Sequence, residues 1–156
     1  MPEMPDQADY KTLLGFDFGL KQIGVAYGQT LTGSSKALSI VKAQDGVPNW
    51  QHIESLIDEW RPDILIVGLP LNMDGSESDL SMLATKFARR LWARFNIDVL
   101  MVDERLTSRE IKDSLKAQAT EGRRSQKFID SSKIDHLAAA LIVQSWLDNP
   151  ELGQPL

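Results

Sequence analysis

Apolar positions follow two rhythms along this chain. In the first third they gather in short runs, TLLGFDF (residues 12–18), QIGVAYG (22–28) and SKALSIVK (35–42), each of which reads as a strand. Only Gly19 to Lys21 separate the first two runs, too few residues for anything but a tight turn, so neighbouring strands here pair antiparallel. From Trp50 the rhythm changes. Trp50, Ile53, Leu56, Ile57 and Trp60 recur with a helical period, and Pro62 follows. DILIVGLP (63–70) is continuously apolar, as strands buried on both faces are. Leu80, Leu83, Phe87 and Leu91 mark one face of a second helix over 78–95, and NIDVLMV (96–102) is a fifth strand. Thr107 and Glu110 have the spacing of a capping box and open a third helix. A basic loop, TEGRRSQK (120–127), leads to a last helix at about 128–148.

The predicted order is β-β-β-α-β-α-β-α-α. Three antiparallel strands feeding two crossover units give an α/β protein with a mixed five-stranded sheet and helices on both faces. This is the element order of the ribonuclease-H-like fold. The pattern predicts one domain over residues 1–156, with its core at about 11–148; the first ten residues and the last seven, PELGQPL, read as loose tails.

Composition narrows the setting. A chain of 156 residues, 42% hydrophobic and 25% charged, fits an ordinary globular protein. It has no cysteine, which excludes disulfides and Cys-based zinc sites and suits a reducing, cytoplasmic location. Its polar, acidic start is not a signal peptide, and no apolar run reaches membrane-spanning length. The net charge of −5 is unevenly spread. Residues 1–85 hold 5 Lys and Arg against 12 Asp and Glu, whereas residues 86–156 hold 12 against 10. A locally basic face can therefore exist on an acidic protein.

Within TLLGFDFG lies Asp-Phe-Gly, the metal-binding triplet of protein kinases. A kinase needs a glycine-rich loop and a lysine strand upstream and a His-Arg-Asp loop; only 16 residues precede Asp17 and no His-Arg-Asp occurs. Asp17 nonetheless sits in an apolar strand, where a charge is costly unless it is paired or holds a metal. Asp103 and Glu104 directly follow the fifth strand, at the carboxyl end where open α/β sheets place ligands. Strand alternation sends the two to opposite sides, so one faces a site and the other packs or caps; the spacing does not say which. Asp135 shares a helix face with Ala138, Ala139 and Ile142, which places it toward the sheet, whereas its neighbour His136 lies about 100° around the helix and reads as structural. Each carboxylate also has a bland reading, as a strand-end or helix-cap residue. Converging, they form an oxygen-only set suited to Mg²⁺ or Mn²⁺.

The stretches GFDFGLKQIGVA, IVGLPLNMDGSESDLS, VDERLTSRE and KIDHLAAALIVQSWL together resemble the YqgF/RuvX family, whose members are named as pre-16S rRNA nucleases and as Holliday-junction-resolvase-like proteins. The resemblance runs over about residues 12–148. It implies a ribonuclease-H-like, metal-dependent nuclease acting on the 5′ end of precursor 16S rRNA, with Asp17, Glu104 and Asp135 as catalytic and metal-holding residues. True junction resolvases place two aspartates one turn apart on the last helix; here Ser132 and Ala138 flank Asp135 at that spacing, which argues against junction cleavage. Gln22 stands where the family usually has a basic residue, at the cost of a phosphate contact.

RNA is the expected partner, with a DNA junction as the secondary one, no membrane, and a monomer or weak homodimer as the assembly. The expected nucleic-acid contacts are Lys21, Asn72, Arg105, Arg109, Arg123, Arg124 and Lys127. Lys86, Arg90 and Arg94, spaced i, i+4, i+8 opposite the apolar face of their helix, either follow a phosphate backbone or simply face solvent. The aromatic residues mostly fit core positions rather than a base-stacking platform. Two alternatives stand beside the nuclease. One is a non-catalytic ribosome-assembly or nucleic-acid-binding protein of the same fold. The other is an actin-like phosphotransferase, which shares the strand-turn-strand start but needs two such domains.

Overall fold

The computed structural model describes residues 10–106 and 131–156. Its sheet is built from β1 (Thr12–Asp17), β2 (Gln22–Gln29), β3 (Ser34–Gln44), β4 (Val47–Pro48), β5 (Ile64–Leu69), β6 (Asp98–Asp103) and β7 (Gln154–Pro155). The helices are α1 (Trp50–Trp60), α2 (Asp79–Phe95) and α3 (Ser131–Asp148). The strand order is β4-β3-β2-β1-β5-β6-β7. β1 is central, antiparallel to β2 and parallel to β5, and β5 pairs parallel with β6. The five strands expected from the sequence are all present. The helix expected from Thr107 lies outside the described residues.

Two further strands are the difference. β4 follows a two-residue turn, Asp45 (φ 52°) and Gly46 (φ 83°), the left-handed pair that suits the twist of a tight hairpin. β7 comes from the expected C-terminal tail, which is a correction: Gln154 and Pro155 pair with Met101 and Leu100. This pairing covers the outer edge of β6. The N-terminal side is anchored as well, since Tyr10 is buried against Trp146 at 6.1 Å and its hydroxyl donates to Asp98 at 3.2 Å.

Helix ends are set by local chemistry. Asn49 caps α1 by accepting from the His52 amide at 3.3 Å, and Arg61 closes it in the left-handed region just before Pro62. Ser78 and Ser81 form a reciprocal cap at the start of α2, with bonds of 2.9 and 2.8 Å.

Alternation along the strands sorts the core into two layers. Leu14, Phe16 and Phe18 of the β1 segment face α1 and α2, with Val67, Val99 and Met101. Leu13, Ile64, Ile66, Leu100 and Val102 face α3, with Ala139, Ile142, Val143 and Trp146. Among the described residues, no helix is long and apolar enough to cross a membrane.

Candidate active site

On the α3 face of the sheet, glycines let other groups come close. A Cβ built on Gly15 would fall onto Val143 Cγ2 and lie 3.4 Å from the Ala139 carbonyl, so Gly15 points at α3. Two residues on, Asp17 belongs to the same row by strand alternation and is half-buried. Beside it in the parallel register runs β5, where Phe16 pairs with Val67. The next β5 residue, Gly68, has no side chain to fill the space, and the Glu104 carboxylate fills it instead. A Cβ on Gly68 would land on Glu104 Oε1 and within 2.6 Å of Ile142 Cδ1. Asp17 and Glu104 therefore share the α3 face at the carboxyl end of the sheet, the two acids contributed by β1 and by the turn after β6.

Asp103 and Glu104 lie on opposite sides of the sheet. Asp103 follows Val99 and Met101 to the other side and is 4% exposed. There Arg105 grips it: the Arg105 amide donates to Oδ1 at 2.9 Å, Nε to both oxygens at 3.1 and 3.2 Å, and Nη2 to Oδ2 at 2.7 Å. Among the described residues this is the only ion pair. The hydrogen bond to Asp103 pushes the Arg105 guanidinium above its ordinary value. Its Nη1 also donates to the Met73 carbonyl at 3.3 Å. Arg105, expected at the substrate, thus ties the end of β6 to the loop at 70–77.

That loop organises itself. Asn72 Nδ2 donates to Ser76 Oγ at 3.0 Å and to the Glu77 carbonyl at 3.3 Å, so the expected ligand-binding amide holds the loop's own turn. Side-chain and then backbone hydrogen bonds from Ser76 hold the Asp74 carboxyl below the usual aspartate range, with a smaller contribution from Arg105.

α3 runs antiparallel to β1, with Trp146 near Tyr10 at the strand's start and Ala139 over Gly15. Asp135 lies one turn before Ala139, about 6 Å back along the helix axis, while Asp17 lies about 6.6 Å beyond Gly15 along the strand. The backbone at Asp135 is thus carried to the end of β1 that bears Asp17. Lys21 is exposed on the adjoining turn. Arg109, Arg123, Arg124 and Lys127 lie outside the described residues. Among the described side chains, no third His, Asp or Glu joins the pair of carboxylates.

Sequence reasoning missed Gly68. The signal was available, because a glycine inside a continuous apolar strand marks a close approach by something else.

Residues 11–149 match the sequence family described as RuvX, Holliday junction resolvase. The chain belongs to the RuvX family. A relative from Haemophilus ducreyi named "Putative pre-16S rRNA nuclease" is 51% identical over 138 residues, covering 88% of this chain and 96% of the relative. One of the same name from Pseudomonas putida is 52% identical over 141 residues, covering 90% and 97%. Among solved structures, RuvC of T. thermophilus in complex with a Holliday junction substrate superposes with a TM-score of 0.53 over 94% of this chain and 99% of that one. Its sequence identity is 16%, so this likeness speaks for the fold alone: the RuvX chain has the ribonuclease-H-like architecture.

Proposed function

We propose that this RuvX-family protein is a metal-dependent nuclease that hydrolyses phosphodiester bonds at the 5′ end of precursor 16S rRNA. The observation that carries the reading is the placement of Asp17 and Glu104 on one sheet face, with Glu104 lying against the bare Gly68. The names of its close relatives support the substrate.

The residues fit a divalent cation. Asp17 and Glu104 offer only oxygen ligands, are half-buried and so remain reachable from solvent, and Gly68 leaves room for the glutamate carboxylate beside the strand. Asp135, on the turn of α3 carried to the same end, is the third ligand in this reading. A bound Mg²⁺ or Mn²⁺ would supply activation of a water and charge stabilisation of the leaving oxygen. The protein's own part is positional. The sheet fixes Asp17 through β1, Gly68 and Ile142 shape where Glu104 rests, and Lys21 stands at the rim where a phosphate would enter. Ala138 is 6% exposed, so the helix position where junction resolvases carry a second aspartate is an apolar packing site here, which favours RNA processing over junction cleavage.

The test is cleavage of precursor 16S rRNA carrying its 5′ extension, with Mg²⁺, Mn²⁺ or chelator, alongside a four-way DNA junction. Asp17→Asn, Glu104→Gln and Asp135→Asn should abolish cleavage while keeping or raising stability, because each removes like-charge repulsion. Asp103→Asn should keep most of the activity. Equal cleavage by wild type and Asp17→Asn would sink the proposal.

A further inference from the structure

We propose that the outward face of α2 is a second nucleic-acid surface, one that holds the phosphate backbone of single-stranded RNA running out of the carboxylate site. This rests on the nuclease reading above for the identity of the polyanion.

Charge comes first. Lys86, Arg89, Arg90 and Arg94 fall within nine residues, and no acid lies between Asp79 and Asp98. All four are exposed, and none forms an ion pair with a described residue. On a protein of net charge −5 this is an unneutralised cationic row. Surfaces that serve only solubility intersperse the two signs.

Shape comes second. Lys86 and Arg90, one turn and about 6 Å apart along the axis, line a hollow whose floor is Phe18, Trp50 and Phe87. Val47 and Pro48 form its other wall, and Asp45 is the one acid on its rim. Arg94 is held in place over the Trp50 ring, 4.2 Å from its centroid. Trp92, on another flank of the same helix, is the exception among the mostly core-packed aromatic residues at 53% exposed.

Continuity comes third. Phe18 directly follows Asp17 and packs on Phe87 at 5.3 Å. The turn that carries Lys21 is joined to the β3–β4 turn by the Gly46 amide, which donates to the Leu20 carbonyl at 2.9 Å. The hollow therefore opens at the same strand end as the carboxylates, on the opposite face of the sheet. A strand bound at Asp17 that passes over Lys21 arrives at Lys86 and Arg90.

The experiment measures binding of a labelled single-stranded RNA containing the precursor 5′ extension to the full chain, in chelator so that nothing is cleaved, across a range of salt. Replacing both Lys86 and Arg90 by Ala should lower the slope of log K against log salt by about 1.4, from two contacts at about 0.7 each for single strands. The charge-keeping pair Lys86→Arg with Arg90→Lys should restore it. A failure of the nuclease reading shows separately, as equal cleavage by wild type and Asp17→Asn when Mg²⁺ is present, and not as a changed slope. If the double variant melts early, Arg89→Ala, which lines no hollow, carries the test with an expected drop of about 0.7. A wild-type slope in the double variant overturns the proposal, and so does a salt-independent loss of affinity.

Discussion

Gly68→Ala is the sharpest perturbation of this site, because it adds a single methyl and no charge. The added Cβ would fall onto Glu104 Oε1 and 2.6 Å from Ile142 Cδ1. Both neighbours are side-chain ends, so they move rather than the sheet. Overpacking of this kind costs about 1–3 kcal/mol, a fall in Tm of several degrees for a domain of this size. The Glu104 carboxylate must shift by about 1 Å or more, and a misplacement of that order costs about 100-fold in rate. Gly28→Ala is the matched control. Its Cβ would lie 2.5 Å from Val143 Cγ1 and 3.2 Å from Leu13 Cγ, so it crowds the same helix well away from the acids. The assay pairs thermal unfolding with kcat/KM on precursor rRNA. Similar losses of Tm with a large loss of kcat/KM only in Gly68→Ala is the expected result. Equal activity in the two variants would refute the idea that Gly68 shapes the site through Glu104.

Two smaller predictions follow from the loop at 70–77 and the helix after it. Ser78 accepts from the Ser81 amide and donates to the Pro70 carbonyl at 2.6 Å, so Ser78→Ala should cost about 1 kcal/mol, read as a lowered urea midpoint with unchanged m-value. The Asp74 carboxyl is held below its ordinary value, so the loop stability it confers is complete above the ordinary aspartate pKa of about 3.9 and is lost only as pH falls through the depressed value. The Ser76 amide resonance should therefore titrate at lower pH than a free aspartate, and a midpoint at or above the ordinary value would count against the bonding seen here.

Much of the fold was legible because its central strands are buried on both faces and α1 and α2 carry a plain 3.6-residue period. The switch of rhythm at Trp50 marks where antiparallel hairpins give way to crossovers. The edges were not legible. β4 and β7 are two residues long and each contains a proline, so neither has a period to read; they exist because β3 and β6 offer free edges nearby. The cationic row on α2 was visible as spacing. Its lack of acidic partners and its hollow against the β3–β4 turn depend on contacts between elements far apart in sequence, and only the folded chain brings them together.

The run Asp103-Glu104-Arg105 shows how adjacent charges are sorted onto two faces of the sheet. Two neighbouring carboxylates at a site that also holds Asp17 would repel one another and resist ionisation together. The chain avoids this by geometry. Strand alternation turns Asp103 away from α3, and the 3₁₀ turn that begins at Glu104 brings Arg105 around to the Asp103 side. The guanidinium then neutralises Asp103 through the 2.7 Å contact and binds the Met73 carbonyl. A buried acid has become a structural anchor for the loop beside the site. Glu104, one residue on, keeps its carboxylate on the α3 face, where Gly68 leaves space for it. This division explains why the Asp103→Asn control is informative: it removes a charge one residue from Glu104 and leaves the proposed metal ligands unchanged. The sequence shows that the two acids must part company; the fold turns Asp103 to Arg105 and leaves Glu104 against Gly68 on the α3 face.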